Sequence, residues 1–397
     1  MKLPDRSKVL SFGLVYGCGP KFVGIAVLDE IVAIYSIFSR LLAGKLFLNN
    51  QHWIEKALLV YFLFITFIGF LNTQNANALR YFFIVIFLLF YSPRKTINID
   101  SMIVGAKAFL ISYFVIVFIG HIFNLPVAFW QDSLWVGTAY AAIFSLFSAW
   151  LCILFARNVI NSLLVFFIYL STAILADSRL QIILIVAFVP AIFYSFQRKY
   201  SGKMNLKKAI ATSILFIATS LLVTFTVQLL GDSDENIFRS VESTFLDLAV
   251  NNVDDRDTDR RDSLNAALNW AEDNPSKFVF GVGILAHQVE MAKYYPQSSD
   301  GLVRPPGFSA MIIDGGMIFS VLILLNAFVT FVRVIRTRTT MPVKLSAILV
   351  LALVLASIMV VNPFDAILFW LIIIPSGVLP FVLRELVHKF NLSVHIK

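Results

Sequence analysis

The chain has 397 residues, of which 59% are apolar and 14% are charged, with a mean hydropathy of +0.82 and a formal net charge of +8. A chain this apolar has too few polar residues to cover a water-soluble sphere. The composition therefore excludes a soluble globular enzyme and predicts a membrane protein.

The apolar residues fall into runs of membrane-spanning length. A spanning helix needs roughly 17 to 25 mostly apolar residues, and the fourth run is short, while the first is interrupted by Gly17, Gly19 and Pro20. We predict an all-α fold, a polytopic membrane helical bundle with about 12 transmembrane helices. The candidate spans lie near 7–26, 28–46, 55–72, 79–92, 101–123, 136–156, 158–177, 180–196, 208–230, 310–332, 342–361 and 365–384.

The basic residues of the short loops predict the orientation, because Lys and Arg are retained on the cytoplasmic side of a membrane. Twelve spans with the N-terminus inside place almost every short-loop Lys and Arg on that side, with a lone Arg80 as the exception. We expect both termini in the cytoplasm. The positive net charge then reflects the orientation of the chain in the membrane, and it gives no reason to expect a nucleic-acid partner.

One long polar segment, 231–309, separates the first nine spans (1–230) from the last three and a cytoplasmic tail (310–397). It holds 14 of the 24 acidic residues and 7 of the 32 basic ones. Twelve spans with the N-terminus inside place this segment outside the membrane, together with the turn 177–179. The segment has no cysteine and must fold without disulfides.

The long loop divides into two parts. Residues 231–259 are acidic and predict a solvated connector with one short helix over 238–248. Leu264, Ala267, Leu268 and Ala271 then recur at helical spacing, and this helix is expected to stop at Asn274-Pro275. An apolar run over 278–285 follows, in which two glycines permit a tight turn or a close backbone approach.

Several short motifs in this region occur in a recognisable order. That order resembles the bacterial O-antigen polymerase and O-antigen ligase superfamily. The hydropathy profile matches over nearly the whole chain, and the specific motifs lie within 177–316. They are Asp177-Ser178-Arg179, then Arg261, Ala266-Ala267-Leu268, Asn274-Pro275 and Gly281-Val282-Gly283, and finally Asp314-Gly315-Gly316.

Two departures from the family pattern stand out. Where the family often has Trp four residues after the loop arginine, this chain has Asn265, with Trp270 further on. Where ligases typically have a His about ten residues before the glycine pair, it has Arg304-Pro305-Pro306.

The resemblance implies a cofactor-independent glycosyltransferase of the bacterial inner membrane. It would join polyprenyl-diphosphate-linked oligosaccharide repeats into O-antigen, the polysaccharide of lipopolysaccharide, or a similar surface polymer at the outer face of that membrane. The implied partners are those lipid-linked substrates, membrane lipid and a chain-length regulator protein. No phosphate-binding loop, dinucleotide fingerprint or zinc-ligand spacing argues for a bound cofactor or metal.

Arginine suits the expected chemistry, because it is permanently charged and binds phosphate oxygens through two parallel hydrogen bonds. Arg179, Arg260, Arg261 and Arg304 all lie on the expected outer side. We expect Arg179 and Arg261 to act in catalysis and all four to bind the substrate diphosphate. The alternatives are a helix-end arginine that reaches lipid phosphate for Arg179 and ordinary solvated charges for the others.

Two residues are candidates for the group that accepts the proton of the attacking hydroxyl. His287 is the only histidine of the long loop, and the alternative to a catalytic role is that it is an ordinary exposed loop histidine. Asp314 opens the tenth span, and its alternative is a role in helix capping or in the glycine turn.

Other functions stay open at this stage. A ligase that transfers polysaccharide to lipid A core is the nearest alternative, disfavoured by the missing histidine. A twelve-helix secondary transporter or a lipid-linked oligosaccharide flippase is the alternative from another class, but such proteins use buried charges near the membrane midplane. Charges of this kind are nearly absent from the apolar runs.

Overall fold

A computed structural model of the chain describes most of the apolar runs and the second part of the long loop. In the described part of the chain all regular structure is helical, with no strand. This confirms the expected helical class. The described residues are 6–16, a few residues between 31 and 38, 52–74, 77–90, 97–122, 135–175, 184–200, 265–291, 294, 307–359 and 367–390.

The helices before the long loop overlap predicted spans. In chain order they are α1 (Arg6–Tyr16), α2 (Trp53–Thr73), α3 (Asn77–Phe90), α4 (Ile99–Ile122), α5 (Trp135–Leu154), α6 (Val159–Leu175) and α7 (Phe188–Tyr200). A single 3-10 turn, Ile185–Ala187, precedes α7.

The helices that follow include three short ones in the long loop. The loop helices are α8 (265–273), α9 (Pro275–Phe280) and α10 (His287–Glu290). The remaining helices are α11 (Gly307–Arg336), α12 (Met341–Ala356, with a 3-10 turn at Ser357–Met359), α13 (Ile367–Ile373) and α14 (Val378–Phe390).

Three described helices are long and apolar enough to cross a membrane: Trp53–Thr73, Ile99–Ile119 and Ser309–Arg336. The bent pair α13 and α14 is a fourth candidate. The three long helices also expose large apolar side chains, as helices do where they face lipid. Examples are Phe64, Phe67 and Leu71 on α2, Val115 and Phe118 on α4, and Leu324 and Phe328 on α11.

The last candidate span differs from a single straight helix. The structure bends the chain by 70° between α13 and α14. Pro375 has no N–H for a helical bond, and a Cβ on Gly377 would lie 1.9 Å from the carbonyl oxygen of Leu371. The break therefore follows from the sequence Pro375-Ser376-Gly377.

Aromatic side chains join the middle of the bundle. Phe62 of α2, Phe319 of α11 and Trp370 of α13 meet with ring centroids 4.8 to 5.9 Å apart. On the other side, α4 packs against α1, α5 and α6, and α7 packs against α5 and α12. The indole of Trp150 on α5 is buried and donates to Ser346 Oγ of α12 at 3.1 Å.

The expected loop helix is confirmed over 265–273, and it ends at Asn274 as predicted. A second helix, α9, starts at once, because Pro275 occupies its first turn, where no N–H is needed. The predicted helix over 238–248, the remainder of the connector 231–259 and the span 208–230 lie outside the described residues.

Candidate active site

The apolar run 278–285, which begins in α9, lies against helix α2. Tyr61 donates its hydroxyl to the carbonyl of Phe280 at 2.8 Å, and Asn72 donates its side-chain amide to the carbonyl of Val282 at 2.8 Å. The backbone N–H of Ile284 donates to the carbonyl of Ile65 at 3.0 Å. The loop is thus fixed to a membrane-type helix by its own backbone.

The same run is bonded to the start of α11. The N–H groups of Val282 and Gly283 donate to the carbonyls of Ile313 and Asp314 at 2.9 and 3.0 Å. These carbonyls are available because Gly316 has φ 72° and interrupts the regular helix there. The break in α11 therefore provides acceptors for the loop.

Close packing at this junction depends on glycine. Gly283 has φ 99°, and a Cβ there would lie 2.2 Å from the backbone nitrogen of Gly69 on α2. A side chain at this position would be strained by its backbone angle and would also collide with the helix. The prediction that the glycines of the apolar run allow a close backbone approach is confirmed.

His287 and Asp314 form the polar centre of the junction. His287 Nδ1 lies 2.7 Å from Asp314 Oδ2. The backbone N–H of His287 donates to Oδ1 at 2.8 Å, and that of Leu285 donates to Oδ2 at 3.0 Å. Asp314 is 0% exposed and His287 is 5% exposed. One carboxylate thus receives three N–H groups from the loop, with the ring nitrogen counted as a donor.

This arrangement changes the expectation for His287. The alternative of an exposed loop histidine is wrong, because His287 is buried and its ring nitrogen bonds to the buried Asp314. Asp314 accepts from the backbone N–H groups of Leu285 and His287 and thereby holds the loop against the start of α11. A carboxylate on Nδ1 also fixes the ring and favours the tautomer in which Nε2 carries the lone pair.

A small hydrophobic cluster includes Ala286, the residue before His287. Its centre is Trp270, which is fully buried and donates its indole N–H to Glu290 Oε2 at 3.0 Å. Lys277 pairs with the other oxygen of Glu290 at 2.9 Å. Ala266, Ala267, Val282, Ala286, Met291 and Ile313 complete the cluster. Helices α8, α9 and α10 therefore form one packed unit.

Tyr294 packs against the edge of that unit. Its hydroxyl donates to Asp273 Oδ2 at 3.0 Å and accepts from Asn274 Nδ2 at 3.3 Å. The hydrogen bond to Asp273 raises the pKa of the Tyr294 phenol above its usual range. Tyr294 is thus held in its neutral form, in which it can donate to the carboxylate.

The four predicted arginines, Arg179, Arg260, Arg261 and Arg304, lie outside the described residues. Their role at a diphosphate site stays a prediction. Of the six predicted site residues, the structure describes His287 and Asp314 and brings those two together.

Sequence reasoning missed a second polar site at the other end of α2. Glu55 is fully buried and accepts from the backbone N–H of Ser376 at 3.1 Å and from the Ser376 hydroxyl. Arg333 donates to the carbonyl of Pro375 at 2.8 Å, and Thr330 donates to the carbonyl of Ile373. An acidic residue within a predicted span is the signal that could have indicated this site.

Within the described ranges, no group of three or more His, Cys, Asp and Glu side chains could hold a metal ion. The fold and the junction thus define a helical protein of membrane type, whose polar loop docks on two apolar helices through a buried His–Asp pair. Comparisons with protein-family models, with curated proteins and with solved structures found no match for this chain.

Proposed function

We propose that this protein is a polymerase that joins polyprenyl-diphosphate-linked oligosaccharide repeats into O-antigen or a similar surface polysaccharide. The observation that carries the proposal is the buried His287–Asp314 pair at the base of the polar loop. The two glycine motifs of the resemblance, Gly281-Val282-Gly283 and Asp314-Gly315-Gly316, also meet there. Motifs that are more than 30 residues apart in the chain thus contribute to one site.

The proposed reaction requires a group that takes a proton. A sugar hydroxyl of the acceptor attacks the anomeric carbon of the donor, a new C–O bond forms, and the bond from that carbon to the phosphate oxygen breaks. His287 accepts the hydroxyl proton on Nε2, while Asp314 on Nδ1 stabilises the imidazolium that results. Polyprenyl diphosphate leaves with the electron pair.

The leaving diphosphate requires positive groups. Arg179, Arg260, Arg261 and Arg304 supply them in this proposal, and removal of one such donor from a catalytic site costs on the order of 10² to 10³ in rate. The reaction uses the energy of the donor's phosphate ester bond and needs no further cofactor.

The proposed setting is the bacterial inner membrane, with about 12 spans, both termini in the cytoplasm and the loop 231–309 outside. The basic residues of the short loops support this orientation. The antiparallel contact of α2 and α11 is consistent with it, because that contact puts the loop junction and the Arg333 end of α11 at opposite ends of the bundle. Lipid-linked substrates would keep their tails in the bilayer.

A ligase that transfers polysaccharide to lipid A core is the alternative within the enzyme class. The presence of Arg304-Pro305-Pro306 where ligases typically have a histidine disfavours it. The His287–Asp314 pair fits either enzyme, because both need a base for a sugar hydroxyl.

A secondary transporter or flippase is the candidate from another class, and the bent pair α13 and α14 is the observation that favours it. Broken helices often form ion sites in transporters. Here, however, both oxygens of Glu55 bond to Ser376, and Glu55 is only the third residue of α2. The buried carboxylate therefore lies at a helix end and stabilises the break, whereas transporter sites lie near the midplane.

The test is the length pattern of surface polysaccharide on a gel, from cells that express Arg179→Ala, Arg261→Ala or His287→Ala at unchanged membrane levels. Collapse of the ladder to a single repeat on its acceptor would support the polymerase. Loss of all attached repeats would indicate a ligase or a transporter. An unchanged ladder in all three variants would contradict the proposed site.

A further inference from the structure

A cavity of about 430 Å³ lies between the C-terminal end of α11 and helix α14. It is far from the loop junction. Its lining is Arg333, Arg336, Thr337, Arg338, Pro380, Arg384, Val387 and His388. Four of these eight residues are arginines, and no acidic residue is among them.

Two of the arginines are anchored. Arg333 donates Nη1 to the carbonyl of Pro375 at 2.8 Å, and Arg384 donates Nε to the carbonyl of Pro380 at 3.1 Å. Both side chains are half-buried. A guanidinium group has five N–H donors in a fixed plane, so a backbone bond holds each of the two groups in one orientation.

Positive charge at this end of the bundle has a simpler explanation, namely the retention of Lys and Arg on the cytoplasmic side. That rule acts on charge in the linear sequence and does not require a shared cavity. Here residues from two segments far apart in sequence, 333–338 and 380–388, converge on one concave site. Like charges so placed repel each other, and a bound anion would remove that repulsion.

The place of the cavity fits a membrane surface. Arg333 follows Gly316 by 17 residues of continuous helix, a rise of about 25 Å. This is close to the roughly 30 Å hydrocarbon thickness of a bilayer. Helix α14 turns by 70° from α13 and buries Val378, Leu379, Phe381, Val382, Leu383 and Leu386. Its polar residues Arg384, Glu385, His388 and Lys389 are more exposed.

We propose that this cavity is a phosphate-binding site for an anionic ligand on the side of the membrane opposite the loop. The volume suits a phospholipid headgroup, and basic pockets between helix ends at the cytoplasmic surface are typical sites for anionic lipids. Arginine binds phosphate through paired hydrogen bonds. A soluble phosphate would use the same groups. The proposal does not depend on the activity of the loop.

The test is binding of phosphatidylglycerol and of phosphatidylcholine to the purified full-length protein in detergent, by native mass spectrometry. The variant is R336Q with R338Q, two exposed positions whose change should leave the fold intact. The matched control is R157Q, an exposed arginine outside the cavity. We expect phosphatidylglycerol to bind more tightly than phosphatidylcholine, and the double variant to weaken it roughly tenfold or more.

A second arm titrates inorganic phosphate against the bound lipid. If inorganic phosphate displaces the lipid from the unchanged protein but has no effect on the double variant, the site binds phosphate from any source. A lack of competition, with lipid binding still lost in the double variant, would assign it to the lipid headgroup. Equal binding by the double variant and R157Q, or binding of neither probe by the unchanged protein, would overturn the proposal.

Discussion

Gly281 of the loop and Gly316 of α11 lie backbone against backbone. A Cβ built on Gly281 would lie 2.4 Å from the carbonyl oxygen of Asp314, and one built on Gly316 would lie 2.4 Å from the amide nitrogen of Gly281. Both residues have positive φ, 74° and 72°. Each position thus requires glycine for its backbone angle and for the close approach of the other.

We expect Gly281→Ala and Gly316→Ala each to lower the free energy of unfolding by at least about 1 to 3 kcal/mol, from strain at positive φ and from the collision of the two backbones. Thermal unfolding of the purified protein in detergent measures this change. Val279→Ala, an exposed neighbour, is the control. Unfolding temperatures that match the control would contradict the packing described.

Asp314→Asn tests the carboxylate separately from the shape of the side chain. Three N–H groups converge on its two oxygens, whereas an asparagine offers one oxygen and directs an NH₂ group at the remaining donors. We expect a loss of about 1 to 3 kcal/mol in stability, because a buried N–H is left without an acceptor. A variant as stable as the native protein would show that Asp314 does not organise the turn.

His287→Asn tests the proposed base with less effect on the fold. The asparagine amide can still donate to Asp314 but cannot accept a proton, so we expect polysaccharide polymerisation to fall roughly 10²- to 10⁴-fold with a small change in unfolding temperature. The matched control is His52→Asn, because His52 caps α2 through its side chain and asparagine caps helices well. A stable His287→Asn protein with full activity would exclude His287 as the base.

The sequence predicted the described helices of the apolar runs and α8, because long apolar runs are a strong signal and α8 shows clear helical spacing, but it did not predict α9 and α10. It could not predict the contact of His287 with Asp314, which lie 27 residues apart and belong to different elements. Histidine in a polar loop looks exposed in sequence. The burial of His287 arises from packing between the loop and α11, where its ring nitrogen bonds to the buried Asp314.

The break between α13 and α14 was also missed, although its signal was present. Pro375 and Gly377 lie within a run apolar enough to predict a span, and hydropathy does not register backbone geometry. The break is stable because residues from other helices satisfy its backbone. Glu55 accepts from Ser376, and Arg333 donates to Pro375. Such long-range partners cannot be identified from a single sequence.

Glu55→Ala should therefore destabilise the bundle at that break. It removes the acceptor for both the N–H and the hydroxyl of Ser376, at a cost of about 1 to 3 kcal/mol. Thermal unfolding of Glu55→Ala, Ser376→Ala and the double variant would measure the coupling, which we expect to exceed about 0.5 kcal/mol. Glu385→Ala, a partly exposed acid, is the control. Additive single effects would contradict the contact.

Substitution of Trp270 tests whether the loop helices fold as a unit. Its indole is fully buried and bonds to Glu290, which also pairs with Lys277. We expect Trp270→Ala to remove about 3 to 5 kcal/mol of local stability and to expose the loop to limited proteolysis. Trp270→Phe keeps most of the apolar volume, so its cost should be smaller.

The control for this prediction is Trp53→Ala, which removes an indole that is 69% exposed. It should leave proteolysis of the loop unchanged. Because His287 belongs to α10 and Glu290 lies one turn further along that helix, loosening of Trp270 should also displace the histidine. Polymerisation should then fall in Trp270→Ala but persist in Trp270→Phe. Equal protease resistance of Trp270→Ala and the native protein would show that the loop helices are stabilised elsewhere.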